Sequence, residues 1–71
     1  MYKAQIGENA GVIWRKLESK GKLNLEELQE ETGLDRVEML TALGWLAREN
    51  KISISKDKGV TSISLYQETY Y

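Results

Sequence analysis

The sequence predicts an α+β fold: three helices and a small antiparallel sheet, in the order α-β-α-α-β-β. Three observations predict it. Apolar residues recur at three- and four-residue spacing up to about Glu49. After Asn50 they switch to in–out alternation. Two helix-start signals, at Asn24 and Asp35, are separated by one short segment and Gly33, so the helices they open meet in a tight turn.

The first helix is expected from about Gly7 to Lys20. Ile6, Ala10, Ile13, Trp14 and Leu17 form one stripe at helical spacing. Lys16 and Lys20 sit in the last turns, where cations favour the negative end of the helix dipole. Gly21 is placed to end the helix in a left-handed conformation. Lys22-Leu23 then reads as a short extended piece. Asn24 is the cap of the second helix, with Glu27 three residues on to reach back to it. This helix ends near Thr32 and turns its Leu25 and Leu28 inward. Asp35 and Glu38 repeat the start signal for the third helix, which runs to about Glu49. At about 100° per residue, Met39, Leu40, Leu43, Leu46 and Ala47 share its inner face. Val37, Glu38, Thr41, Trp45 and Arg48 lie opposite.

Two strands follow. Ile52 and Ile54 alternate with Ser53 and Ser55, and Ile63 and Leu65 with Ser62 and Ser64. A turn at Lys58-Gly59 pairs Ile54 with Ile63 and Ile52 with Leu65, placing both pairs on one face. A one-residue slip would break both pairs. A lone hairpin is marginal, so pairing near Leu23 and cover from the helices are expected to stabilise it. This is the winged helix-turn-helix arrangement, with Lys56–Gly59 as the tip of the wing.

Two runs carry a resemblance: Ile6-Gly7-Glu8-Asn9-Ala10-Gly11-Val12-Ile13-Trp14, and Ala42-Leu43-Gly44-Trp45-Leu46-Ala47-Arg48-Glu49-Asn50-Lys51-Ile52. Together they resemble a family of small, uncharacterised bacterial and archaeal winged helix-turn-helix proteins. The likeness covers nearly the whole chain. It implies the fold and a nucleic-acid-binding role, and brings no functional residues with it.

The chain has 71 residues, which fits one domain over 1–71, with a frayed tail at 67–71. It has no cysteine and no histidine. Thiolate and imidazole metal sites, Ser–His triads and Cys–His dyads are therefore excluded. No catalytic residue, metal or small-molecule cofactor is expected. No apolar run approaches the roughly 18 residues of a membrane span, and the first residues lack the apolar stretch of a signal peptide. The expected location is cytoplasmic, with no membrane partner. Net charge is −1 and the pI is about 5.4. A domain held to nucleic acid by phosphate contacts usually carries a basic excess, and the whole chain does not.

The outward face of the third helix is the first candidate interface, because in a DNA-reading helix-turn-helix this element enters the major groove. Arg36, Thr41, Trp45 and Arg48 are its candidate contacts to double-stranded DNA, with Lys56 and Lys58 of the wing on phosphates. From Asp35 to Gly59 there are five basic residues (Arg36, Arg48, Lys51, Lys56, Lys58) and four acidic ones (Asp35, Glu38, Glu49, Asp57), a difference of +1. Each feature has a plainer reading. The helix face is a solvated mixture of charges, Trp45 packs against the hairpin, and the wing lysines solubilise a tip. Glu26, Glu27, Glu30 and Glu31 form a solvated acidic face. Gly11 and Gly44, each costing about 1 kcal/mol inside a helix, suggest close approach of a backbone or a ring. Tyr66 is expected to extend the last strand, with Tyr70 and Tyr71 frayed or in a dimer interface. Two functions remain open. One is a nucleic-acid-binding, transcription-associated module. The other is a module that binds protein or itself, through exposed Val37 and Trp45.

Overall fold

The computed structural model of the chain describes residues 2–66. The expectations for residues 67–71, including Tyr70 and Tyr71, lie outside the described residues. Helix α1 spans Lys3–Lys20, β1 Leu23–Asn24, α2 Leu25–Thr32, α3 Arg36–Arg48, β2 Ile52–Asp57 and β3 Val60–Leu65. This is the expected α-β-α-α-β-β order. Both strand pairings are antiparallel and β3 is central, giving the sheet order β1-β3-β2.

Helix α1 starts a turn earlier than Gly7. Lys3, Ala4 and Gln5 carry no capping signal but are good helix formers. The first turn closes through the Ile6 amide, which donates to the Tyr2 carbonyl at 3.0 Å. The helix ends at Gly21 with φ 79° and ψ −150°. That is an extended positive-φ conformation, essentially reserved for glycine, and not the expected left-handed one. It delivers the chain into β1, where Leu23 pairs with Ile63.

Both expected capping boxes form. Asn24 accepts the Glu27 amide at 2.8 Å, and the Glu27 carboxylate accepts the Asn24 amide at 3.0 Å. Asp35 and Glu38 do the same at 2.8 and 3.0 Å. Between them, Gly33 is left-handed at φ 71° and ψ 7°. The Thr32 hydroxyl donates to the Leu28 carbonyl at 2.8 Å and accepts the Leu34 amide at 3.3 Å, tightening the turn.

Helix α3 ends in a Schellman motif. Lys51 donates to the Leu46 carbonyl and Asn50 to the Ala47 carbonyl, with Asn50 left-handed at φ 56°. The hairpin has the expected register, Ile52 opposite Leu65 and Ile54 opposite Ile63. Lys58 and Gly59 both have positive φ, 52° and 80°, as a type I′ turn requires.

The core draws on every element. Ile13 and Leu17 of α1, Leu28 of α2, Met39 of α3 and Ile63 of β3 are fully buried. No polar or charged side chain is buried among the described residues. Two inward assignments need correction. Leu40 is 42% exposed, and Ala42 takes the buried position instead. The inner face of α3 is rotated toward α1, away from Leu40. Ile54 shares a sheet face with buried Ile52 and Ile63 yet is 53% exposed, because it stands where the hairpin leaves its helical cover. The wing beyond it, Ser55 to Val60, is exposed throughout.

Candidate nucleic-acid interface

The outward face of α3 is uncovered. Val37, Leu40, Thr41, Gly44 and Arg48 are all exposed, Val37 at 63%. The Thr41 hydroxyl donates to the Val37 carbonyl at 2.8 Å and lies 3.1 Å from that of Glu38. Its proton is held by the helix, on the exposed face of α3. Arg36 and Arg48 stand at the two ends of this helix, about 18 Å apart along its axis.

Arg36 reaches the wing side. It lines a hollow of about 330 Å³ with Gly59, Val60 and Thr61 of the hairpin, Asn24 of β1, and Leu25 and Glu26 of α2. Lys58 adjoins Gly59 in the turn, and Lys56 pairs with Thr61 across the ladder. The first turn of α3 and the wing tip thus bring Arg36, Lys56 and Lys58 to one edge of the molecule. Glu26 and Asp57 share that edge and temper its charge. Asp35 and Glu38 also sit at the start of α3, with their carboxylates already accepting backbone amides. The positive end of the α3 dipole is therefore taken by the protein's own acids.

Trp45 lies elsewhere. Nine residues from Arg36 at about 100° per residue, it points to the opposite flank of α3. It is 40% exposed and lines a groove with Trp14 of α1. This flank of α3 faces α1, and the groove that Trp45 lines also reaches Lys51, next to the first hairpin strand. Arg48, at the end of α3, lines neither hollow. So the structure sets Arg36 against the wing at Gly59–Thr61, leaves Thr41 and Arg48 on the open face, and sets Trp45 apart.

The acidic face of α2 is not wholly solvated. Glu31 meets Lys16 and Lys20 of α1 at 3.6 and 3.9 Å. The helix glycines also differ from expectation. A methyl group on Gly44 would meet nothing within 4 Å, and one on Gly11 would meet only the Arg15 guanidinium, at an ordinary 3.6 Å. Neither makes room for a ring or a backbone within the chain. The grouping that sequence reasoning missed is the Trp14–Trp45 groove. The helical stripe assigns Trp14 to the core and the opposite face assigns Trp45 to solvent, and only the packing of α1 on α3 brings them together.

Comparison with known proteins agrees with this architecture. The solution NMR structure of protein BT2368 from Bacteroides thetaiotaomicron superposes with a TM-score of 0.82 at 35% identity, covering 92% of this chain and 79% of that one. The uncharacterized protein MJ1608 of Methanocaldococcus jannaschii is 40% identical over 55 residues, 75% of this chain and 79% of the relative. Residues 1–65 match the family described as Winged helix-turn-helix domain (DUF2582). The chain belongs to that winged helix-turn-helix family.

Proposed function

We propose that the chain is a nucleic-acid-binding module that takes double-stranded DNA across the open face of α3 and the wing. The observation that carries this reading is the hollow shared by Arg36 and wing residues Gly59–Thr61, which sets a helix cation against the wing that carries Lys56 and Lys58. In this reading α3 enters the major groove. Thr41 offers its methyl group to a base edge, Val37 and Leu40 meet thymine methyls, and Arg48 reaches a base or a phosphate. Arg36, Lys56 and Lys58 hold phosphates. The exposed side chain of Lys51 lies outside this set. With three cations on phosphates and capping acids nearby, binding is weak and its salt slope is modest, about −2.7 on a log–log plot.

The test is a titration of a labelled duplex by fluorescence anisotropy at several salt concentrations. Affinity is expected to fall linearly on a log–log plot. Arg36→Ala is expected to weaken binding and lower the slope by about 1, as loss of one phosphate contact does. No binding to any duplex at low salt contradicts the reading.

A further inference from the structure

A groove runs between α1 and the C-terminal half of α3, with a volume of about 540 Å³. Ala10 and Leu46 form its floor, and Trp14 and Trp45 stand half-open in it. Of the six residues assigned to DNA contact only Trp45 reaches this groove, and the DNA reading above does not use it.

Three observations say what kind of surface covers it. The first is charge. Arg15 and Lys51 stand on the rim with Glu18 and Glu49, a sum of zero. All four are exposed, and none forms an ion pair among the described residues, where Lys16 and Lys20 take Glu31. A balanced rim of two unpaired cations and two unpaired anions does not suit a phosphate backbone. It is complementary to itself. The second is the pair Gly7 and Gly11, one turn apart inside α1 on the same side as Trp14. Each costs about 1 kcal/mol relative to alanine. Nothing in the chain needs the space: a methyl at Gly7 meets nothing within 4 Å, and one at Gly11 only the flexible Arg15 side chain. Bare backbone facing outward lets another helix approach closely. The third is the indole pair, large anchors on an apolar floor inside a polar rim, the anatomy of a protein interface.

We propose that this groove is the interface of a homodimer, in which a second copy of the chain packs its own α1–α3 groove against the first across a two-fold axis. Arg15 and Lys51 of one copy meet Glu18 and Glu49 of the other, as an isologous interface allows. The face with Arg36, Thr41 and Arg48 and the wing stays outside the contact, so the proposal stands whether or not DNA binds.

Sedimentation velocity of the full chain over a concentration series tests it, with intrinsic fluorescence alongside, since both tryptophans of the chain line the groove. The wild-type chain is expected to dimerise as concentration rises, with a shift in tryptophan emission. Two double variants keep the fold, because all four rim residues are exposed. The all-acidic rim, Arg15→Glu with Lys51→Glu, and the all-basic rim, Glu18→Lys with Glu49→Lys, should each self-associate at least about tenfold more weakly. Mixed one to one, they should pair again. A wild-type chain that stays monomeric up to about 1 mM, where even weak interfaces populate a dimer, overturns the proposal. So do reversed rims that associate as well as wild type, or that fail to pair when mixed.

Discussion

Five of the described residues have positive φ, and they are not equivalent. Gly21 occupies an extended positive-φ region that a side chain all but forbids, whereas Gly33 sits in the left-handed region that a side chain enters at moderate cost. Gly21→Ala should therefore cost about 2–3 kcal/mol of stability and Gly33→Ala about 1 kcal/mol, read from urea unfolding midpoints at constant slope. Gly44 is the opposite case. It is helical, exposed and uncrowded, so Gly44→Ala should stabilise the fold by up to about 1 kcal/mol. If the same substitution also weakens duplex binding, bare backbone at that point of α3 serves contact rather than folding. The positions of these glycines were legible in the sequence. The conformation of Gly21 was not, because glycine alone permits both regions and the choice is made by β1 having to pair with β3 two residues later. The role of Asn50 in the Schellman motif was missed, although asparagine is among the few non-glycine residues that readily take this conformation at a helix end.

At the scale of elements, the parts that local chemistry specifies were readable and the parts that depend on neighbours were not. Both capping boxes follow from a three-residue spacing, and the hairpin register follows from two alternations meeting at Lys58-Gly59. The early start of α1 and the exposure of Leu40 and Ile54 do not, because burial is decided by which element lies opposite. The α3 cap also gives a test that separates folding from binding. Asp35→Ala removes the cap and should cost about 1 kcal/mol. Asp35→Asn keeps an acceptor for the Glu38 amide and removes a negative charge beside Arg36. It should unfold at nearly the wild-type denaturant concentration while binding duplex DNA more tightly at low salt. Tighter binding without lost stability marks the start of α3 as facing phosphate. Unchanged binding places the duplex elsewhere.

Among the described residues the core is small and wholly apolar, and such cores yield only about 3–5 kcal/mol. Met39 is fully buried between the helices and the sheet. Met39→Ala should cost about 2–5 kcal/mol and leave much of the chain unfolded at room temperature, visible as lost far-UV circular dichroism. Among the described residues no helix is long and apolar enough to cross a membrane. What the linear sequence could not carry is the distribution of charge. A net of −1 hides an edge where Arg36 meets the wing and, on the far flank of α3, a balanced rim around two indoles. Both groupings are made by packing, and neither has a sequence spacing of its own.

The account turns on α3 and the wing acting together as one DNA-facing surface. A titration of isotope-labelled protein with a duplex at low salt, followed by amide chemical shifts, addresses this residue by residue. The prediction is that shifts concentrate in Arg36–Arg48 and at Lys56–Thr61, and disappear together as salt is raised. Shifts centred instead on the acidic face of α2, or none at all at saturating duplex, contradict it.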